Sequence, residues 1–241
     1  MIENIYGYDV GVYDIESSFN EELNDIALKL YSNLQGTVEA GNIIGTSWND
    51  APQSLVGAHV FPYNRLHQFK WFPAIFSKAI LETVNKYAED LQVKCDHPAE
   101  LQFYIDRCWC TITYPGDNIK RHSHSSTGVF SMAYYSYWKE NQGNFLISDN
   151  RTVESRFTPL RLHDSKSKTI IETKESRFII FPSHVLHETE DNNTDDIRIS
   201  WSMDIQAIGI EGMLPNKELV NFLWDHWNKI EDQYKNILGD Q

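Results

Sequence analysis

The 241 residues, at a typical ~150 residues per domain, make one large domain or one domain with a small appendage, and a chain of this size buries about 70% of its unfolded surface. With 21 Lys+Arg against 34 Asp+Glu the net charge is −13, the wrong sign for gripping phosphate backbones or anionic lipid, so neither nucleic acid nor a membrane surface is expected as a partner. The 41% hydrophobic and 13% aromatic content belongs to a folded chain and excludes bulk disorder.

Residues 1–99 read as a helical N-terminal region. Over 19–34 (FNEELNDIALKLYSNL), Leu23, Ile26, Ala27, Leu30 and Tyr31 recur at helical spacing after Asn20, a cap candidate. Over 73–91 (PAIFSKAILETVNKYAEDL), Ile75, Ala79, Ile80, Val84 and Tyr87 do the same. Between them 36–62 is rich in Gly, Asn, Ser and Pro and reads as an irregular loop. Glu3 and Asp9 interrupt any apolar leader, and the most apolar short run, 178–181 (FIIF), is far below the ~20 residues of a membrane span. The expected compartment is the cytoplasm.

From residue 100 the period changes to that of strands. Runs rich in aromatic and β-branched residues cover 101–114, 127–138, 144–148, 156–163, 169–172, 177–182, 186–190 and 197–205. Turn signals such as Pro115-Gly116-Asp117-Asn118, Asn141-Gln142-Gly143 and Asp191-Asn192-Asn193 divide them. Eight short strands after a helical lead-in predict a mainly β protein with flanking helices, a double-stranded β-helix of the jelly-roll, cupin-like kind. Its core spans 100–206, buttressed by the N-terminal helices, and 207–241 follows as a C-terminal helical region of the same domain. Over 216–238 (NKELVNFLWDHWNKIEDQYKNIL) one more amphipathic helix packs on its own core or forms a homodimer contact. Of the three cysteines, Cys95, Cys108 and Cys110, the last two share one face of a strand. A zinc site would want two more soft ligands nearby, so they read as buried structural thiols in a reducing compartment.

Two stretches carry chemistry: Arg121-His122-Ser123-His124, and Phe181-Pro182-Ser183-His184-Val185-Leu186-His187 leading to Ile197-Arg198-Ile199-Ser200. On a strand, residues two apart point to one side, so His122 and His124 can face one ion while His187 arrives from a distant strand. Three imidazoles leave open positions and suit Fe(II), Zn, Cu and Ni alike. Arg198 and Ser200, again two apart, suit a bidentate grip on a carboxylate, and a buried arginine on a barrel wall is costly unless an anion meets it. A ligand with a carboxylate at one end and a chelating group at the other satisfies both features, and 2-oxoglutarate is such a molecule. His184 lies three residues from His187 and so on the opposite face, as a turn or supporting residue. His59, His67, His97, His163 and His226 have no ligand-like neighbours.

This arrangement resembles the Fe(II)/2-oxoglutarate-dependent oxygenase superfamily, whose motif is His-x-Asp/Glu, a distal His and an Arg or Lys about ten residues on. The match is His122-Ser123-His124, His187 and Arg198, with Ser200 echoing an Arg-x-Ser variant. More narrowly it is similar to a prolyl-hydroxylase-related group of marine bacteria and phages that carries an HxH pair. The matching pieces are Ser131-Met132-Ala133-Tyr134-Tyr135, the stretch from Gly143 to Arg151, and Phe181-Pro182-Ser183, and the likeness runs over roughly residues 30 to 206. The resemblance implies iron held by His122, His124 and His187, 2-oxoglutarate held by Arg198 and Ser200, O2 as oxidant, and hydroxylation of a peptide, amino acid or small molecule with release of succinate and CO2. Tyr104, Trp109, Tyr114, Tyr135 and Trp201 flank the motif strands. Tyr114 and Tyr135 are the candidates for contact with the cosubstrate, because their strands adjoin the HxH segment.

His124 departs from the pattern by standing where a carboxylate is usual. It is the third ligand, or it stays off the metal and leaves a vacancy of the kind halogenases use, or Asp117 or Asp106 steps in. Two other functions compete: a non-catalytic cupin-like protein that binds a metal or small acid, and a three-histidine dioxygenase that uses no 2-oxoglutarate.

Overall fold

The computed structural model describes residues 1–34, 66–91, 102–124, 128–148 and 168–208. The loop expected at 36–62, the strand at 156–163, the tail helix at 216–238 and Cys95 lie outside the described residues.

Ahead of the two expected helices lies a hairpin that the sequence reading did not include. Tyr6 and Gly7 have φ of 55° and 86°, the two positive values that a tight type I′ turn requires. They join β1 (Ile2–Ile5) to β2 (Tyr8–Asp14). The usual sequence mark of this turn is Asn-Gly or Asp-Gly, so Tyr-Gly concealed it.

Two helices follow. α1 (Asn20–Leu34) buries Leu23, Ala27 and Leu30 together with Phe19, one residue before its start. Asn20 does not cap it: its amide accepts from the Tyr134 hydroxyl at 2.6 Å and donates to Ser176 Oγ at 2.9 Å, fastening the helix to the sheet below. α2 (Ala74–Asp90) buries Phe76, Ile80, Thr83, Val84 and Tyr87, a stripe at spacings of three and four. Ile75, expected on that face, is 53% exposed; its neighbour Phe76 occupies the core instead.

The strands are β3 (Gln102–Thr113), β4 (Phe130–Tyr137), β5 (Phe145–Ser148), β6 (Lys168–Ile171), β7 (Arg177–Pro182), β8 (Leu186–Thr189) and β9 (Arg198–Ile208). They build two antiparallel sheets, one in the order β1-β2-β7-β4-β9-β3 and one in the order β6-β5-β8. Residues 119–124 extend the smaller sheet beyond β8. His122 and His187 exchange backbone hydrogen bonds of 3.0 and 2.9 Å, and Thr189 N donates to Ile119 O. The result is the expected jelly roll with helices on one side.

The larger sheet separates two cores. Its outer face meets α1, α2 and the short turn of 3-10 helix at Leu66–Gln68 through Cys108, Cys110, Ile112, Tyr134, Phe178 and Trp201. Phe76 sits among the rings of Phe19, Tyr134, Phe178 and Trp201 at centroid distances of 5.1–6.1 Å. Burying such a ring contributes about 1.5–3 kcal/mol by transfer alone. Burial also pushes the Cys110 thiol up to about 12 and the Cys108 thiol well above its ordinary range, so both are inert protonated core groups. The second core lies between the sheets and contains Ala133, Tyr135, Phe145, Ile147, Ile179 and Phe181.

Candidate metal centre

Strand alternation builds the site. Along β9, Arg198, Ser200, Ser202 and Asp204 fall two apart and share the face toward the smaller sheet. Each meets partners on the flanking strands: Thr113 opposite Arg198, Thr111 and Tyr135 flanking Ser200, Trp109 and Ala133 flanking Ser202, Arg107 and Ser131 flanking Asp204. This row forms one wall, and β8 with the 119–124 segment forms the other.

His122, His124 and His187 converge between the walls. Their ring centroids stand 4.9, 4.3 and 5.0 Å apart, and one candidate ligand atom from each lies within 4.8 Å of the others. All three Nδ1 atoms face acceptors: His122 the Lys120 carbonyl at 2.7 Å, His187 the Val185 carbonyl at 3.0 Å, His124 the Asp204 carboxylate at 2.7 Å. An oxygen that carries no proton can only accept, so each Nδ1 keeps its hydrogen and Nε2 is the nitrogen turned away from these tethers. Such outer tethering orients histidines that ligate metals and raises their basicity. Burial, then the neighbouring imidazoles, pulls His187 well below its ordinary pKa; burial, then His124, brings His122 to about 4. Both rings are neutral at pH 7, as metal binding requires. Phe181 and Phe145 pack on His187 at 4.7 and 5.5 Å and keep water from that side.

The pocket beside the triad is lined by Trp109, Thr111, Tyr135, Thr189 and Ser200 among others. Behind Thr189, Arg198 is fully buried. Its Nη1 donates to the carbonyls of Gln142 and Gly143, and its Nη2 donates to Thr189 Oγ1 at 2.9 Å and Thr113 Oγ1 at 3.4 Å. Gly143, at φ 86°, offers its carbonyl from a tight approach: a Cβ there would sit 2.6 Å from Glu190 O. These partners are all neutral, and Nε has none among the described residues. Burial lowers the guanidinium's pKa and no described carboxylate offsets it. A buried cation with an unmet donor and only neutral neighbours fits a site made for an anion.

The structure thus brings His122, His124 and His187 together, with Ser200 and Tyr135 on the pocket wall and Arg198 joined to it through Thr189. Tyr114 does not belong there. One residue past Thr113, it falls on the opposite face and packs against the helix-side core. Trp201 is in that core too, whereas Trp109 lines the pocket, 5.6 Å from the His124 ring. His184 is exposed in the turn before β8, edge-on to Tyr8. Neither Asp106, at a register shift in β3, nor Asp117 is in the histidine group. The carboxylate that does reach it is Asp204, which the reading of the sequence missed; counting on by twos from Arg198 through Ser200 would have found it.

Residues 107–204, which hold every group named in the triad and at Arg198, match the family described as "Putative 2OG-Fe(II) oxygenase". No curated protein matches the sequence. Among solved structures the chain is similar to AviO1 from Streptomyces viridochromogenes Tue57, at 8% identity over 87% of this chain and 91% of that one, with a TM-score of 0.55. It is also similar to EctD from S. alaskensis with bound Fe, at 14% identity over 86% of this chain and 75% of that one, with a TM-score of 0.51. A 2OG-Fe(II) oxygenase family oxidoreductase from Burkholderia pseudomallei is matched at 13% identity over 56% of this chain and 58% of that one, with a TM-score of 0.40. The chain therefore spans less than two thirds of that protein. The structural likenesses bear on the fold, and the family match bears on the site. Over residues 107–204 the chain is therefore similar to a family described as 2OG-Fe(II) oxygenases.

Proposed function

We propose that the chain is an Fe(II)/2-oxoglutarate-dependent dioxygenase that hydroxylates an unactivated C–H bond of a peptide, an amino acid or a small molecule, releasing succinate and CO2. The observation that carries this reading is the pairing of three tethered histidines with a buried arginine whose described partners are all neutral. His122, His124 and His187 would hold the iron through Nε2. Arg198 would take the far carboxylate of 2-oxoglutarate, with Ser200 and the Tyr135 hydroxyl as further donors on the pocket wall. Bound together, iron and 2-oxoglutarate supply the oxidising power that the side chains lack. The chain's own part is to keep the ligands unprotonated, exclude water with Phe145 and Phe181, and present the substrate beside Trp109. The net charge of −13 favours a neutral or basic substrate.

The free, buried Cys108 and Cys110 support a reducing, cytoplasmic setting. No described helix is long and apolar enough to cross a membrane.

Anaerobic titration with Fe(II) and then 2-oxoglutarate tests the reading. A weak visible charge-transfer band that appears only with both, and succinate formed on admitting O2 with substrate, are expected. Iron binding without the band would remove 2-oxoglutarate and favour the three-histidine dioxygenase, in which Arg198 meets a carboxylate of the substrate.

A further inference from the structure

His122 and His187 are tethered by carbonyls two residues before them in their own segments, whereas His124 is held from 80 residues away by a carboxylate. That carboxylate, Asp204, is 1% exposed. Its Oδ1 takes the His124 Nδ1–H at 2.7 Å and the Ser131 hydroxyl at 3.0 Å; Ser131 Oγ also lies 3.2 Å from His124 Nδ1 and 3.1 Å from Ser183 Oγ. Arg107 Nε stands 4.0 Å from its Oδ2. Three neutral imidazoles would leave a divalent ion with its whole charge of 2+ in a largely buried pocket, where an uncompensated charge is expensive.

We infer that Asp204 is a positioning residue that supplies, through the Nδ1–H of His124, the negative charge missing from the three-histidine ligand set. The inference rests on the metal centre proposed above. The short charge-assisted bond fixes the ring so that Nε2 faces the other two histidines. It also polarises the imidazole toward the metal, so part of a full carboxylate charge reaches the ion one ring away. Ser131 donates to the carboxylate and holds it in line.

Co(II), whose visible bands report tetrahedral or higher coordination, is the probe, titrated into the full chain under argon. Asp204→Asn keeps the shape and an acceptor oxygen but removes the charge, and should weaken Co(II) about 10- to 100-fold, as is usual for such outer partners. Ser131→Ala, which leaves the charge in place, should lose less, about tenfold or under. The discriminating background is His124→Asp, which sets a second carboxylate near Asp204. There Asp204→Asn should strengthen Co(II) binding, because it removes a like charge; a residue that only packs would weaken binding in both backgrounds. Unchanged Co(II) affinity in Asp204→Asn, or the same loss in both backgrounds, overturns the role of Asp204 while leaving the metal centre standing. Failure of the native chain to bind Co(II) overturns both.

Discussion

The two faces of the larger sheet are made from the same strands and could hardly differ more. On β9, Ile199, Trp201, Met203 and Ile205 turn toward the helices into an aromatic core, while Arg198, Ser200, Ser202 and Asp204 share the opposite face, where Ser200 and Ser202 line the pocket. On β3, Cys108, Cys110 and Ile112 face the helices, and Trp109 and Thr111 face the site. A period of two lets a single strand carry a stability programme and a chemistry programme interleaved residue by residue. Stability resides mainly on the helix side, where rings interlock. The pocket side keeps buried polar groups that a stability criterion alone would remove.

That division can be broken from either side. Phe76→Ala should cost about 3–5 kcal/mol of folding stability, read from urea midpoints, because it empties the centre of the helix-side core. The fraction still folded should bind Co(II) as tightly as the native chain does; a loss of affinity matching the loss of stability would show that the two faces are not independent. His187→Ala is the mirror experiment: it should lower Fe(II) or Co(II) affinity by more than ~100-fold, beyond the usual effect of an outer partner. Most of the apo stability should remain.

Arg198→Met should raise the 2-oxoglutarate concentration needed for the charge-transfer band by roughly ten- to a hundredfold, the worth of a hydrogen bond to a charged group at ~1.5–3 kcal/mol. Its Fe(II) affinity should stay unchanged. If 2-oxoglutarate bound equally well, Arg198 would be a structural cation and the pocket side would lose its anion site.

Acid should separate the faces more gently. His122 titrates near 4 when folded and near 6.5 when unfolded, and His187 is depressed as well. The unfolded chain therefore binds more protons between these values, so apo stability should be level above pH 6.5 and fall as the pH drops toward 4. Bound Co(II) should shift that decline to lower pH, because a ligated ring cannot take a proton. A decline identical with and without metal would detach these histidines from the ion. The smallest effect expected is that of Ser200→Ala, a few-fold rise in the 2-oxoglutarate requirement, consistent with ~0.5–1.5 kcal/mol for one neutral hydrogen bond.

Much of this was legible in the residues alone. The helices expected over 19–34 and 73–91 are Asn20–Leu34 and Ala74–Asp90, and the run at 101–114 is the strand Gln102–Thr113. Period is a local property, and burial on one side enforces it. Where the reading missed, local signals were overruled or absent. Tyr6-Gly7 adopts a turn usually marked by another residue pair, and Asn20 spends its amide on Tyr134 instead of its helix. Tyr114 was placed by nearness in sequence to the HxH segment, although one step beyond Thr113 reverses the face.

The order His122, His124, His187, Arg198 and Ser200 already pointed to a metal with a carboxylate-bearing partner, because spacing on strands dictates which side chains look the same way. Spacing could not say which carboxylate would stand behind His124. Asp106 and Asp117 are nearer in the chain, yet Asp204, 80 residues away, makes the contact. Pairing β9 with both β3 and β4 is what brings Asp204, Ser131 and the histidine together, and such pairing is a long-range choice made by the packing of two sheets, which no local pattern encodes.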